Sequence, residues 1–135
     1  VFEHLDNPIE VLESFKEIAS ESAKIIIEVP HANDFLISSL NIEEFLQFTL
    51  WSQHLILHTR DSLKKFISIA GFKETEIVGV QRHNIANHLQ WCNERKGGGH
   101  KSNISFIETE ELKLAYERSL VNLDKTDTIV AVANI

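Results

Sequence analysis

The sequence predicts an α/β fold, because helical patterns alternate along the chain with short runs of β-branched residues. Its 135 residues and apolar fraction of 43% are those of one ordinary globular domain. Two runs, at 23–30 and 127–135, are rich in isoleucine and valine and have the length of strands. We therefore expect one compact unit in which helices cover a small sheet.

The first half of the chain predicts a helix, a strand and an irregular helical segment. The run Asp6-Asn7-Pro8 marks a helix start, since proline at the first helical position loses no hydrogen bond. Apolar residues then recur at helical spacing on one face. Residues 23–30 form a continuous apolar run, which predicts a strand covered on both faces. Residues 34–51 are expected to be helical but irregular.

The second half predicts two more helices and two more strands. A helix is expected between a cap at Thr59 and Gly71, which has the position of a C-terminal glycine. Residues 72–80 predict a strand, and residues 109–123 predict a helix with acidic residues at its positive end. The last strand is expected within 127–135.

The charge balance and the apolar runs argue against two classes of partner. Acidic residues outnumber basic ones, 20 against 13, and the net charge of −7 disfavours a nucleic-acid surface. No apolar run reaches the roughly 18 residues of a membrane helix, and the first residues lack the pattern of a signal peptide. The single Cys92 fits a reducing compartment, so we expect a cytoplasmic protein.

Four runs follow one another in a fixed order: FEHLDNP at 2–8, IIIEVP at 25–30, SLKKFISIAGF at 62–72 after His54, and DTIVAV at 127–132. In this order they resemble the C-terminal half of class I S-adenosylmethionine-dependent methyltransferases of the small-molecule type. The resemblance implies a Rossmann-like mixed sheet whose last strand is antiparallel, with a helical insertion before that strand. It also implies S-adenosylmethionine as the cofactor and methyl transfer to a small molecule as the reaction.

The resemblance covers residues 1–135 and implies that the glycine-rich cofactor turn lies upstream. The sequence has no methionine and opens on Val1-Phe2, so we expect a fragment that carries the substrate side and is inactive alone. Residues 82–125 are expected to be an insertion on the substrate side or at an interface. The expected partners are a small-molecule substrate and the missing N-terminal half, with a homodimer left open; neither nucleic acid nor a membrane is expected.

Methyl transfer needs an aligned acceptor atom, and a base where that atom carries a proton. The resemblance gives His54 a matching histidine in the family, so His54 is predicted to be the catalytic acid/base or a substrate ligand. In sugar carbon-methyltransferases a glutamate precedes that histidine, whereas Gln53 stands here and cannot take a proton, which argues against that mechanism. The first run implies that Phe2, Glu3 and His4 bind the cofactor.

Substrate-side residues are predicted near strand ends and within the insertion. His31 and Asn33 follow a strand end, where open α/β folds bind ligands. The segment 82–91 combines an aromatic ring with amides and histidines, which suits a sugar or another polyhydroxylated acceptor. The predicted substrate-binding residues are His31, Asn33, Trp51, His58, Arg82, Asn84, Asn87, His88 and Trp91.

Two other functions stay open. A non-catalytic interaction module derived from a methyltransferase would bury its exposed sheet edge by dimerising. A metal-binding protein would use His83, His88 and His100, but the spacing of the first two does not place them on one helical face. Neither a cysteine pair nor an HExxH pattern lies nearby, so no metal is expected.

Overall fold

The computed structural model describes residues 1–51 and 54–135. The helices are α1 (Pro8–Ile18), α2 (Phe35–Ser38), α3 (Glu43–Thr49), α4 (Arg60–Ile69), α5 (Ile85–Glu94) and α6 (Glu110–Asn122), and the strands are β1 (Lys24–Pro30), β2 (Lys73–Val80) and β3 (Thr128–Asn134). Short 3₁₀ turns lie at Phe2–His4, Gly99–Lys101 and Ser105–Ile107. The predicted order of elements is confirmed, and the irregular segment 34–51 contains α2 and α3.

The last strand lies between the two earlier strands, in the order β1-β3-β2. It runs antiparallel to both, so that Ala131 of β3 stands opposite Ile27 on one side and Ile77 on the other. The predicted antiparallel last strand is therefore confirmed. This pairing brings the ends of β1 and β2 and the beginning of β3 to one edge of the sheet.

One face of the sheet packs against α1 and α4. Because side chains alternate along a strand, every second residue of β1 and β3 points to this side. The core contains Leu12 of α1, Leu63 and Ile67 of α4, and Ile27, Val29, Ile129, Ala131 and Ala133 of the sheet. Truncation of one buried leucine or isoleucine of such a core to alanine typically lowers the free energy of unfolding by about 2–5 kcal/mol.

The predicted boundaries of α4 are confirmed by its caps. The Thr59 side chain accepts a hydrogen bond from the Ser62 N–H at 3.1 Å, and the Ser62 hydroxyl accepts one from the Thr59 N–H at 2.9 Å. This reciprocal pair satisfies two N–H groups that the first turn leaves free. Gly71 follows the helix with a φ of +80°, a conformation that residues with a Cβ rarely adopt.

The opposite face of the sheet is largely exposed, so the prediction that β1 is covered on both faces is wrong. Ile26 is 69% exposed and Val78 is 45% exposed. The physical reason is that α1 and α4 both pack on the same face, and no helix of the described ranges covers Ile26. A continuous apolar run is compatible with two-sided burial but does not require it.

The segment between β2 and β3 contains α5, two 3₁₀ turns and α6, and thus confirms the predicted helical insertion. Trp91 of α5 packs with Leu36, Ile42 and Phe45, which joins the insertion to α2 and α3. Gly99 is required by close approach, since a Cβ there would lie 2.1 Å from the Ala86 carbonyl oxygen. Within the described ranges, none of the helices has the length and hydropathy of a membrane span.

Candidate functional site

A cleft of about 550 Å³ opens at the edge of the sheet where β1 ends and β3 begins. Pro30 and Thr128, which are paired in the sheet, contribute to its lining. Its volume lies in the range of small-molecule sites. The complete lining is Pro30, His31, Asp34, Ile37, Phe45, Phe48, Thr49, Trp51, His54, Arg82, His83, Asp127 and Thr128.

Aromatic side chains from the end of α3 form one wall of this cleft. Phe48 is 66% exposed and Trp51 is 51% exposed, whereas Phe45 behind them is buried. Exposed rings at a cleft offer flat apolar surface on which a ligand can stack. Trp51 was predicted to face substrate and does lie in the cleft, while Phe48 was missed because an aromatic residue on a helix is ordinarily a core residue.

The loop after β2 forms the facing wall and is held by Asp127. Its carboxylate accepts hydrogen bonds from the backbone N–H groups of Arg82 at 3.0 Å and His83 at 2.7 Å, and from the Gln81 amide at 2.9 Å. The Arg82 guanidinium donates to both carboxylate oxygens of Glu28, at 3.1 and 2.6 Å. Arg82 therefore borders the cleft with a fixed orientation.

Asp34 is a buried cleft residue that the sequence did not single out. Its carboxylate caps α2 by accepting a hydrogen bond from the Leu36 N–H at 2.6 Å. Burial raises the pKa of Asp34 to about 7. The hydrogen bond from the Leu36 N–H lowers this pKa, and the negative charge of Asp127 raises it. An aspartate just before an apolar helical turn is a capping pattern, so the cap was available from sequence, but its burial was not.

The His54 ring lies half-buried at the cleft with a defined hydrogen-bonding state. Its Nδ1 is 2.5 Å from the Thr49 carbonyl oxygen. Because a carbonyl only accepts, Nδ1 carries a hydrogen, and Nε2 is the ring nitrogen left for a ligand. That Nε2 stands 4.0 Å from Oε1 of Glu3. Gln53, which argues against the mechanism of sugar carbon-methyltransferases, lies outside the described residues.

The predicted cofactor residues Phe2, Glu3 and His4 lie beside the loop of His54, and none of the three is among the residues that line the cleft. The Phe2 ring is buried against His58 and Phe66. Glu3 is buried as well, and its Oε1 lies 3.5 Å from His4 Nε2. The backbone N–H of Leu55 donates to the Glu3 carbonyl at 2.9 Å, which brings the loop of His54 to this turn.

Opposing effects act on the pKa of the buried Glu3 carboxylate. Burial raises the pKa, whereas a hydrogen bond from the backbone N–H of Glu3 and the charge of His4 lower it. The ring centroids of His4 and His54 are 4.6 Å apart. Within residues 1–51 and 54–135, Glu3, His4 and His54 are a group of three ligating side chains whose atoms lie within 4.8 Å of one another.

His31 and His58 lie side by side in the interior, where a bridge joins their backbones. The Ala32 N–H donates to the His58 carbonyl at 2.9 Å. His31 Nδ1 lies 3.0 Å from the Thr126 carbonyl, and its Nε2 has no hydrogen-bond partner among the described residues. Burial lowers the pKa of both rings below the ordinary value, against the opposing charges of Asp124 and Glu3 respectively. Both are therefore neutral at pH 7.

Asn33 connects the end of β1 to the turn before β3. Its amide donates to the Asp124 carbonyl at 2.7 Å, and its amide oxygen accepts from Lys125 Nζ at 2.8 Å. It borders a smaller cleft of about 350 Å³, to which His31 also contributes. His31 thus lines both clefts, whereas Asn33 lines the smaller one.

The polar residues of α5 are largely used for internal contacts. Asn84 caps the helix by accepting from the Asn87 N–H at 2.9 Å, and Asn87 Oδ1 accepts from the Gly98 N–H at 3.1 Å. Both residues line a cleft of about 450 Å³, which shares Phe48 and Arg82 with the first cleft. Asn84 and Asn87 therefore lie next to the first cleft, whereas Arg82 lines both clefts.

His88 and Trp91 are enclosed. His88 Nε2 lies 3.3 Å from the Gln81 amide nitrogen and its Nδ1 lies 2.6 Å from the Tyr116 hydroxyl. Burial lowers the pKa of His88 to about 4, although the charge of Asp127 opposes this. Trp91 is 4% exposed and meets Phe45 edge-on at 5.0 Å between ring centroids. Their predicted contact with substrate is not tested by this geometry and stays a prediction.

Two solved structures share this fold. A SAM-dependent methyltransferase from Archaeoglobus fulgidus aligns with a TM-score of 0.55 and 18% identity, over 98% of this chain and 55% of its own. A SAM-dependent methyltransferase from Thermotoga maritima, described as a possible histamine N-methyltransferase, aligns with a TM-score of 0.59 and 14% identity, over 98% of this chain and 51% of its own. No family model and no curated protein matches the chain.

This likeness shows the fold alone, and the chain spans about half the length of both structures. The predicted resemblance to half of a methyltransferase domain is thereby confirmed at the level of fold. The glycines of the chain do not form a turn between a strand and a helix: Gly71 joins α4 to β2, Gly79 lies within β2, and Gly97–Gly99 follow α5.

Proposed function

We propose that the chain forms the acceptor side of an S-adenosylmethionine-dependent methyltransferase that acts on a small polyhydroxylated molecule, such as a sugar-linked metabolite. The observation that carries this proposal is the cleft of about 550 Å³ at the strand-end edge of a methyltransferase fold. Open α/β sheets bind ligands at this edge. The fold alone does not specify a reaction, so the residues of the cleft decide the proposal.

The two walls of the cleft suit such an acceptor. Phe48 and Trp51 offer exposed rings for stacking on the apolar face of a sugar, and Arg82 offers donors for its hydroxyl groups. Asn84 and Asn87 of the adjoining cleft would extend the polar surface. His54 offers a lone pair on Nε2, which can take a proton from an acceptor hydroxyl.

The cofactor supplies the methyl group when it is bound, and Phe2, Glu3 and His4 are the residues of this chain proposed to lie nearest to it. The remaining cofactor contacts are proposed to come from the other part of a methyltransferase domain. The uncovered sheet face around Ile26 and Val78 is the surface on which that part would pack. We place the protein in the cytoplasm, as the sequence predicts.

Methyl transfer is tested with the complete polypeptide that contains this chain. Labelled S-adenosylmethionine is supplied with a panel of sugar-linked and other polyhydroxylated metabolites, and methylated product is detected by mass spectrometry. Phe48→Ala should raise KM by roughly tenfold through the loss of ring contact with the acceptor. Phe106→Ala is the matched control, since Phe106 is 82% exposed and lies outside the clefts described above.

Two results would contradict the proposal. One is the absence of any methylated product from a polypeptide that binds S-adenosylmethionine. The other is an equal response of KM to Phe48→Ala and Phe106→Ala, because the cleft would then have no part in acceptor binding.

The second candidate function is a non-catalytic module that dimerises. It is favoured by the same uncovered face and by β1, which pairs on one side only within the described residues. An unpaired strand edge can add a strand from a second copy. Analytical ultracentrifugation distinguishes the two: a stable dimer of a polypeptide that does not bind S-adenosylmethionine would support the module.

A further inference from the structure

We propose that Glu3, His4 and His54 bind one divalent transition-metal ion at the wall of the cleft. Oε1 of Glu3 lies 3.5 Å from His4 Nε2 and 4.0 Å from His54 Nε2, and all three ligand atoms lie within 4.8 Å of one another. Ligand atoms around tetrahedral zinc stand roughly 3.3 Å apart, given metal–ligand distances of about 2.0–2.2 Å. Small side-chain rotations therefore bring the three atoms to coordination distance.

The hydrogen bond of His54 prepares its Nε2 for a metal. Its Nδ1–H donates to the Thr49 carbonyl at 2.5 Å, which orients the ring so that Nε2 faces the Glu3 carboxylate. Two acceptors that face each other are stabilised only when a cation or a proton lies between them. A metal-binding histidine usually donates the N–H of its other ring nitrogen to a backbone carbonyl, a carboxylate or water, and the contact of His54 Nδ1 with the Thr49 carbonyl is of this kind.

The donor set selects the class of metal. Two imidazoles and one carboxylate suit zinc, iron or cobalt, whereas magnesium and calcium prefer oxygen ligands alone. Glu3 and His54 are mostly shielded from water, and His54 also lines the cleft. Three protein ligands leave at least one coordination position open, as in catalytic zinc sites. The open position is available to water or to a hydroxyl oxygen of a ligand in the cleft.

A metal at this position changes the role of His54. Its Nε2 would be a ligand and could not also serve as a base. A hydroxyl group bound to the metal has a lowered pKa, so its proton would leave to solvent before methyl transfer. This last step rests on the proposed function, whereas metal binding itself does not.

The test is metal binding by the 135-residue chain. The chain is stripped with a chelator, titrated with Zn²⁺ by calorimetry, and loaded with Co²⁺ for absorption spectroscopy. We expect one equivalent of Zn²⁺ to bind. Glu3→Gln, His4→Gln and His54→Gln should each raise Kd by about 100-fold or more, since loss of an outer partner alone changes affinity 10- to 100-fold. His100→Gln, an exposed histidine outside the group, should leave Kd unchanged.

The Co²⁺ absorption spectrum of the unaltered chain reports on the coordination of the bound ion. It therefore tests the site even if a variant fails to fold. Absence of saturable one-to-one Zn²⁺ binding would overturn the proposal, and so would an affinity that all three variants retain. Methyl transfer by a polypeptide that binds no metal would reject the metal site alone. Zn²⁺ binding without methyl transfer would reject the proposed function and leave the metal site intact.

Discussion

The two tryptophans lie in opposite surroundings, although both were predicted from the sequence to contact substrate. Trp51 follows the last turn of α3 and is half exposed in the cleft, whereas Trp91 is enclosed between α5 and the α2–α3 segment. The rings of Phe45 and Phe48 both pack against Trp91. Polar neighbours in the sequence therefore do not determine whether an aromatic ring is exposed at a cleft or packed against another element.

The polar neighbours of the two tryptophans follow the same division. On α5, His88 and Asn87 are buried and bonded to groups of the chain itself. Near Trp51, His54 is bonded on one ring nitrogen and presents the other toward Glu3. The polar groups next to Trp91 therefore bond within the chain, whereas His54 next to Trp51 is the group that we propose as a ligand.

The largest expected effect is on stability at the two tryptophan positions. Trp91→Ala should lower the free energy of unfolding by about 3–5 kcal/mol, because it empties a buried site. Trp51→Ala should lower it by less than about 1 kcal/mol, because the ring is half exposed. Urea unfolding of both variants measures the difference. Equal losses of unfolding free energy would show that the two rings do not differ in burial.

The next effect is a pH dependence that comes from His88. Its pKa is about 4 in the folded chain against 6.5 in the ordinary state, so the unfolded chain binds the proton first as the pH falls. The stability that neutral His88 provides is complete above pH 6.5 and declines by roughly 3 kcal/mol down to pH 4. His88→Gln should remove this part of the decline in urea unfolding at a series of pH values.

The ionisation of Asp34 changes the free energy of unfolding in the opposite direction over the same pH range. Its pKa of about 7 lies above the ordinary 3.8, so its contribution to stability is complete below pH 3.8 and is lost as the pH rises to 7. The effect of His88 is therefore measured as the difference in the free energy of unfolding between the parent chain and the His88→Gln variant at each pH. The contribution of Asp34 is present in both and largely cancels from this difference. A difference that does not change with pH would show that His88 is not enclosed.

The smallest expected effect concerns the exposed pair of Arg82 and Glu28 beside the cleft. Both side chains are about half exposed, so a double-mutant cycle with Arg82→Gln and Glu28→Gln should give a coupling energy of only about 0.2–1 kcal/mol. The coupling should weaken further in high salt. A coupling above about 2 kcal/mol would mean that this wall of the cleft is more enclosed than the wall at Trp51.

The elements with strong local signals could be predicted from the sequence. Proline opens α1 at Pro8, Thr59 caps α4 and Gly71 follows α4, and each of these signals depends on only a few neighbouring residues. The one-sided burial of Ile26 could not be predicted, since an apolar run has the same pattern with or without a second covering layer.

The candidate site was only partly predictable, because its groups meet through long-range contacts. His54 and Trp51 were found, but the approach of His54 to Glu3 depends on the bond between the Leu55 N–H and the Glu3 carbonyl, about fifty residues apart. No local pattern encodes such a contact. The burial that raises the pKa of Asp34 is likewise a property of the assembled sheet edge.

Iodide quenching of tryptophan fluorescence tests most directly the claim that the aromatic wall of the cleft is at Trp51. The Trp91→Phe variant retains only Trp51, and the Trp51→Phe variant retains only Trp91. We expect a quenching constant several-fold larger for Trp51, whose ring is exposed in the cleft, than for the enclosed Trp91. Equal constants, or stronger quenching of Trp91, would contradict it.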